Sequence, residues 1–136
     1  MIIRERTKDL IAKPANVASV LNAVMAGFDE LERDKERFFV FGLDTRNCIK
    51  YIDVVSVGTL NYNLVHPREV FRLAILKGCA TIVVAHNHPS GSIEPSDEDL
   101  SLTRRLAQAG TLLGIELMDH VIIGDGFTSF KQKGIL

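Results

Sequence analysis

Apolar side chains recur every three to four positions in three stretches of the chain, the spacing of helices that bury one face. The first stretch predicts a helix over residues 16–31, with Pro14 near its start. The second predicts a helix that opens at Pro67 and ends at Gly78, and the third predicts a helix over residues 97–113. The apolar positions expected to face inward are Val17, Val20, Leu21, Val24, Met25, Phe28, Leu31, Val70, Phe71, Ala74, Ile75, Leu102, Leu106, Ala109 and Leu113.

Runs of branched and aromatic residues between these helices predict strands. Residues 38–43 and 48–57 flank a turn and are expected to pair as a hairpin. Residues 81–85 form a continuous apolar run bounded by turn signals, which is typical of a strand buried on both faces. Two late strands are predicted at 117–123 and 127–130. Helices that alternate with strands in this order indicate an α/β layered sheet.

The composition is that of an ordinary globular domain. Apolar residues make up 46% of the 136 and charged residues 24%, and the length suits one core. We therefore expect a single domain over residues 1–136, with residues 1–13 as an N-terminal lead-in. No apolar run approaches the roughly 18 residues of a membrane-spanning helix, and the first eight residues are charged where a secretion signal would be apolar. These features predict a cytoplasmic protein without a membrane partner.

Charge and cysteine content narrow the range of partners and ligands. The net charge is −1, from 16 basic and 17 acidic residues, whereas DNA-binding domains usually carry a basic excess. Strong direct nucleic-acid binding is therefore not expected. Cys48 and Cys79 have no Cys-x-x-Cys partner, so they are predicted to be small buried hydrophobic residues rather than a disulfide or zinc ligands.

His86 and His88 directly follow the most buried predicted strand. Ligands of open α/β sheets sit beyond the carboxyl ends of strands, and side chains two apart in extended backbone point to one side. Both imidazoles can then bind one ion at about 2.0–2.1 Å, with Asp99 as a third ligand and a fourth position left for water. This pattern predicts a divalent metal site, with zinc as the expected ion.

Simpler explanations exist for the same residues. A His-x-His pattern is short and matches by chance, so polar residues of a surface loop are the alternative. Pro89, Gly91 and Pro95, however, restrict this loop. Ser96 and Asp99 also fit a helix capping box, with Ser96 as N-cap and Asp99 in the first turn. Capping explains Ser96 as well as catalysis does, and the two roles are compatible.

Three further polar residues are weaker candidates. His120, in a predicted strand, is interpreted as a core histidine that can serve a neighbour through its second nitrogen. Asn87 and Asp97 are candidates to orient the two imidazoles, or else they belong to a turn and a helix start.

The spacing His86-x-His88, seven residues, then Ser96-x-x-Asp99 resembles the JAMM signature of the JAB/MPN metalloprotease superfamily. More narrowly, His-Asn-His-Pro-Ser-Gly over residues 86–91 is similar to the RadC family. The likeness covers nearly the whole chain, from about residue 14 onward.

This resemblance implies a central mixed β-sheet flanked by helices, a layered sandwich like that of cytidine deaminases. It also implies one Zn²⁺ per chain, on His86, His88 and Asp99. Ser92 and Ile93 depart from the family, which often has an acidic residue and a proline there. The helix-hairpin-helix region that precedes this part of full-length RadC proteins has no counterpart in this sequence, so a DNA-repair role has no support from it.

The resemblance further implies that Glu36, just before the predicted strand at 38–43, is a general base, since JAMM enzymes use a glutamate on an early strand. A solvated charge is the simpler explanation, and Glu30 and Glu32 lie in the same charged stretch. In the implied reaction Glu36 accepts a proton from water made acidic by zinc, and Ser96 hydrogen-bonds the developing oxyanion. The reaction is hydrolysis of a peptide or isopeptide bond in a protein or peptide substrate.

Two other classes of function compete with a zinc metallopeptidase. One is a metal-binding, DNA-associated accessory module of the RadC type without peptidase activity. The other is a zinc deaminase, which would need a His-x-Glu and a downstream Pro-Cys-x-x-Cys, and the sequence has neither. So small a sheet is also expected to leave an edge strand exposed, which would allow a homo-oligomer.

Overall fold

The computed structural model of the chain describes residues 1–5, 9–58 and 65–136. Within these ranges six strands form one sheet and four helices accompany it. In chain order the elements are β1 (Ile2–Glu5), α1 (Pro14–Met25), α2 (Glu30–Arg33), β2 (Arg37–Leu43), β3 (Ile49–Val57), α3 (Pro67–Leu76), β4 (Thr81–Asn87), α4 (Asp97–Leu113), β5 (Glu116–Gly124) and β6 (Gly126–Ser129).

The sheet has the strand order β1-β3-β2-β4-β5-β6 and is mixed. β2 and β3 form the predicted antiparallel hairpin, and β2 also pairs antiparallel with β4. β4 and β5 are parallel, because α4 carries the chain back along the sheet between them. The expectation of a mixed central sheet flanked by helices is confirmed.

Helices cover both faces of the sheet, and alternation along β4 shows how the two faces divide. Val83 and Ala85 pack with α1 in one apolar cluster, whereas Ile82 and Val84 pack with α3 and α4 in another. Both faces of this strand are therefore buried, which explains its continuous apolar run, as predicted. By the same alternation His86 falls on the face of α3 and α4.

The prediction of one helix over residues 16–31 is wrong for its last third, where the helix is interrupted. α1 ends at Met25, and α2 begins after Asp29, whose side chain accepts a hydrogen bond from the Glu32 N–H and caps the new helix. Gly27 lies between them and is a poor helix former. The apolar spacing continues past the break, yet Leu31 is 78% exposed.

The N-terminal segment and β4 also differ from the predictions. Residues 2–5 of the supposed lead-in form β1, which pairs antiparallel with β3, while residues 6–8 lie outside the described ranges. β4 runs two residues further than expected, so His86 lies inside the strand instead of after it. Ile75 and Leu113, predicted to face inward, are about half exposed near the ends of their helices.

The remaining predictions about composition concern cysteines and membranes. Cys79 is buried and Cys48 half-buried, and both are free thiols. In the part of the chain that the structure describes, no helix combines the length and the apolar content needed to cross a bilayer.

Candidate metal centre

Three side chains converge where β4 meets the start of α4. The Nε2 atom of His86 lies 3.0 Å from Nε2 of His88 and 3.5 Å from Oδ1 of Asp99. One potential ligand atom from each of the three residues lies within 4.8 Å of the others. His86 and Asp99 are fully buried, and His88 is partly exposed. The structure therefore brings together the three residues expected to form a metal site.

The separations suit a tetrahedral ion. Two ligand atoms that each lie about 2.0–2.1 Å from one tetrahedral centre are about 3.3 Å apart. The two separations from Nε2 of His86, 3.0 and 3.5 Å, fall on either side of that value. Two imidazole nitrogens with one carboxylate oxygen are also the donor types that zinc and similar divalent ions accept. The residues present fit a bound metal ion.

His88 is held in the form that can bind a metal. Its Nδ1 atom lies 2.9 Å from the carbonyl oxygen of Ser92, and a carbonyl only accepts, so Nδ1 carries the proton and donates. The Nε2 atom of the neutral ring then has a lone pair, and this atom faces His86. The loop after β4 therefore orients one candidate ligand through its own backbone.

That loop is tied to the end of β5 by two backbone hydrogen bonds of 2.7 Å. The His88 N–H donates to the carbonyl of Ile123, and the Asp125 N–H donates to the carbonyl of Gly91. Gly124 lies so close to the loop that a Cβ there would be 2.5 Å from the carbonyl oxygens of Gly91 and Ser92. A side chain at this position would displace the carbonyl that orients His88.

Asp99 serves the helix and the site through different oxygens. Its Oδ2 accepts from the Ser96 N–H at 2.9 Å, and its own N–H donates to the Ser96 hydroxyl at 3.0 Å. This is the predicted capping box. Oδ1 is the atom that faces His86. Capping and a position beside the imidazoles therefore coexist in one carboxylate.

His120 adds a third imidazole behind the first. Its Nε2 atom lies 2.8 Å from Nδ1 of His86, on the side away from His88. The ring stacks on Phe130 at 4.4 Å between centroids, and Phe38 meets it edge-on. Burial, followed by the neighbouring His86, lowers the pKa of His120 well below the ordinary value for histidine. The prediction of a buried core histidine is confirmed, and the neighbour that the sequence left open is His86.

Glu36 stands apart from the three converging groups. It directly precedes β2, is partly exposed, and lines a cleft of about 480 Å³ with Gly58, Pro89 and Ser90. The β2–β4 register pairs Phe38 with His86, so alternation places Glu36 on the same side of β2 as Phe38. The cleft thus reaches from Glu36 to the loop that carries His88.

The other two glutamates of the charged stretch have different surroundings. The Glu32 carboxylate is held by Arg37 at 2.6 Å and by Lys35 at 3.0 Å. Glu30 is exposed on α2. Of the three candidates, Glu36 is the one that lines the cleft beside Pro89.

The first interpretation of Asn87, that it orients the imidazoles, is wrong. Its side chain crosses to β2 instead, where Oδ1 accepts from the Arg37 N–H at 2.7 Å and Nδ2 donates to the Lys35 carbonyl at 3.0 Å. These two residues flank Glu36. Asp97 is exposed in the first turn of α4, which fits its alternative role at the helix start. The Asn87 contact was missed because it joins residues 50 apart in the chain.

Fold and site together define an α/β domain with a candidate metal centre at the end of a central strand. The chain belongs to the family described as "RadC-like JAB domain", whose sequence model matches residues 11–135. The resemblance inferred from the motif is thereby confirmed, and membership is compatible with a metal-dependent hydrolase.

Three relatives are named "UPF0758 protein", a name that states no activity. The protein of Rubrobacter xylanophilus is 45% identical over 135 residues, which are 99% of this chain and 57% of that protein. The protein of Moorella thermoacetica is 48% identical over 132 residues, 96% of this chain and 55% of the relative. The protein of Methanosarcina mazei is 43% identical over 133 residues, which are 97% of this chain and 56% of that protein. The chain thus spans little more than half the length of these relatives.

Proposed function

We propose that this chain is the catalytic domain of a zinc-dependent hydrolase that cleaves peptide or isopeptide bonds. The observation that carries the proposal is the convergence of His86, His88 and Asp99, in which Nε2 of His86 lies 3.0 and 3.5 Å from ligand atoms of the other two. Each chain would hold one Zn²⁺ on these three side chains.

Three ligands favour a catalytic site over a structural one. Structural zinc sites are closed by four protein ligands, whereas catalytic sites keep one position for water or substrate. Among the described residues, three His, Cys, Asp or Glu side chains converge here, and one of them, His88, is partly exposed. Solvent and substrate therefore have a path to the site beside His88.

A bound zinc ion supplies a water of lowered pKa and polarises a carbonyl group. Glu36, across the cleft that it shares with Pro89, would take a proton from the attacking water and return it to the leaving amine. The Ser96 hydroxyl accepts from the Asp99 N–H and keeps its own proton, so it can donate to an oxyanion. Both roles rest on the family resemblance together with these positions.

The surface around His88 supports the proposed substrate class. A second cleft of about 320 Å³ lies beside His88 and Pro89, between Arg33 and Asp125, and the cleft of Glu36 lies beyond Pro89. Two shallow clefts that share one rim residue suit an extended chain that crosses the site, rather than a compact small molecule. A peptide or protein segment is therefore the proposed substrate.

Metal content tests the site directly. Purified protein is measured by mass spectrometry as the unmodified chain, as His88→Ala and as Glu36→Gln. His66→Ala is the matched control, because His66 is the N-cap of α3. The proposal expects about one zinc per chain in the unmodified protein, Glu36→Gln and His66→Ala, and strongly reduced zinc in His88→Ala. Unchanged zinc in His88→Ala would refute the site.

Cleavage tests the activity. A peptide library and an isopeptide-linked conjugate are incubated with the zinc-loaded chain, with Glu36→Gln, and with Glu30→Gln as a control for the loss of one nearby negative charge. A general base contributes about 10²–10⁴-fold, so Glu36→Gln should lose that much activity and Glu30→Gln should not. DNA binding at physiological salt with no cleavage by any zinc-loaded form would favour the accessory module instead.

A further inference from the structure

A chain of hydrogen bonds runs from His86 through β5 to α4. Nδ1 of His86 lies 2.8 Å from Nε2 of His120, and Nδ1 of His120 lies 2.7 Å from the hydroxyl of Thr103. That hydroxyl donates to the backbone carbonyl of Asp99, one helical turn earlier, at 2.7 Å. This series of hydrogen bonds thus begins at one proposed metal ligand, His86, and ends at another, Asp99.

The direction of each bond follows from the last one. A hydroxyl has one proton, and Thr103 donates it to the Asp99 carbonyl, so toward His120 it can only accept. His120 therefore carries its proton on Nδ1, and Nε2 of the neutral ring has the lone pair. His86 must then donate from Nδ1, which leaves the lone pair on its own Nε2. This Nε2 is the atom that faces His88 and Asp99.

We propose that His120 and Thr103 are positioning residues that hold His86 as the tautomer able to bind a metal ion. Both are buried, and Phe130 stacks on the His120 ring, so the ring is held by packing as well as by hydrogen bonds. The inference rests on the metal site of the proposed function, and it requires no peptidase activity.

This series of hydrogen bonds also links elements that approach the site from different directions. His86 is on β4, His120 on the neighbouring parallel strand β5, and Thr103 and Asp99 on α4, which connects these two strands. A shift of α4 would therefore disturb the Asp99 carboxylate and the His86 tautomer together. This arrangement follows the general pattern in which a metal-binding histidine is oriented through its other ring nitrogen.

The tautomers are measured first in the metal-free protein, by ¹H–¹⁵N spectra of the imidazole nitrogens. The inference expects the proton of both His86 and His120 on Nδ1. A proton on Nε2 of His86 would overturn it. Because no metal is present, this result does not depend on whether the protein binds zinc or cleaves peptides.

Zinc affinity, measured by competition with a coloured chelator, tests the consequence. Thr103→Val removes the hydroxyl, and Thr103→Ser restores it. Thr111→Val is the matched control, because the Thr111 hydroxyl donates to the carbonyl four residues earlier on α4 in the same way but is exposed. Loss of an outer hydrogen-bond partner of a ligand typically weakens metal binding 10–100-fold.

The expected result is at least about tenfold weaker zinc binding in Thr103→Val, with the original affinity in Thr103→Ser and Thr111→Val. Equal affinity in all three variants would overturn the inference, and so would an equal loss in Thr103→Val and Thr111→Val. If the unmodified chain binds no zinc, the proposed function fails, and the tautomer spectra alone decide the positioning role. If it binds zinc but cleaves nothing, the affinities still decide it.

Discussion

Asn87 accepts a hydrogen bond of 2.7 Å from the backbone N–H of Arg37, and with its amide nitrogen it donates to the Lys35 carbonyl. Asn87, which lies between His86 and His88 in the sequence, therefore hydrogen-bonds the backbone on both sides of Glu36. This contact fixes the start of β2 relative to the candidate metal centre, so the proposed base is held in place relative to the proposed ligands.

Asn87→Ala should lower stability and activity but spare the metal. It leaves the Arg37 N–H without its buried acceptor, which costs about 1–3 kcal/mol in free energy of unfolding. Activity should fall because Glu36 loses its anchor, while zinc content stays near that of the unmodified chain. Denaturant melts, metal analysis and cleavage rates check this.

Asn22→Ala is the control for Asn87→Ala. Asn22 lines the cleft beside His88 but is exposed on α1, so its loss should change stability by no more than about 0.5 kcal/mol. Equal stability of Asn87→Ala and Asn22→Ala would contradict the anchoring role.

Gly124→Ala should weaken zinc binding without touching a ligand. Its Cβ would lie 2.5 Å from the carbonyl oxygen of Ser92, which accepts the His88 proton, so the loop must move. We expect zinc affinity to fall about tenfold, the lower end for a lost outer partner. Gly27→Ala, whose Cβ would have its nearest neighbour at 3.5 Å, should bind zinc normally. Normal affinity in Gly124→Ala would show that the loop adapts.

Metal removal should lower the melting temperature through mass action. Free zinc at about 100 times its dissociation constant adds about 2.7 kcal/mol to the free energy of unfolding, since the unfolded chain lacks the assembled site. For a chain of 136 residues this corresponds to roughly 9 °C. Calorimetry with and without a chelator measures the shift. His88→Ala should show little of it, and a full shift in that variant would place the zinc elsewhere.

Tyr51 should make the protein sensitive to alkali. Burial, followed by charge on Cys79 and Asp53, raises the pKa of Tyr51 above its ordinary value near 10. Above pH 10 the unfolded chain releases the phenol proton while the folded chain keeps it, so stability falls as pH rises, by about 1.4 kcal/mol per pH unit. This contribution is fully present below pH 10.

Tyr51→Phe should flatten that alkaline decline in melts from pH 9 to 11. At pH 7 it should cost little, because the Tyr51 hydroxyl is buried and makes no hydrogen bond within the described part of the chain. Thr81→Val is the control, since it also removes a buried hydroxyl with no such partner but no titrating group. An identical alkaline slope in both variants would contradict the prediction.

The apolar spacing predicted most of the fold because burial itself imposes that spacing. It failed where local chemistry interrupts a continuing period. At residues 26–29, Gly27 and the cap of Asp29 end one helix and start another although apolar residues continue. It also missed β1, whose four residues are too few to show a period.

The candidate site was predictable to the extent that it is local in sequence. His86, His88 and Asp99 lie within 14 positions, at and just beyond the end of a recognisable strand. The contact between His86 and His120 joins residues 34 apart through a parallel strand pair, and no local pattern encodes that pairing. The signal that hinted at it was a histidine inside an apolar strand, since a buried imidazole requires a hydrogen-bond partner.

The divided carboxylate of Asp99 has a consequence for how substitutions at this position would be interpreted. Oδ2 belongs to the cap of a 17-residue helix, and Oδ1 faces His86. A replacement therefore alters both the helix cap and the proposed coordination. Tolerance at position 99 in a selection experiment would therefore reflect two pressures that cannot be separated there. His88 takes no part in the cap of α4, so a substitution there leaves that helix start intact and affects the proposed coordination together with the hydrogen bond to Ser92.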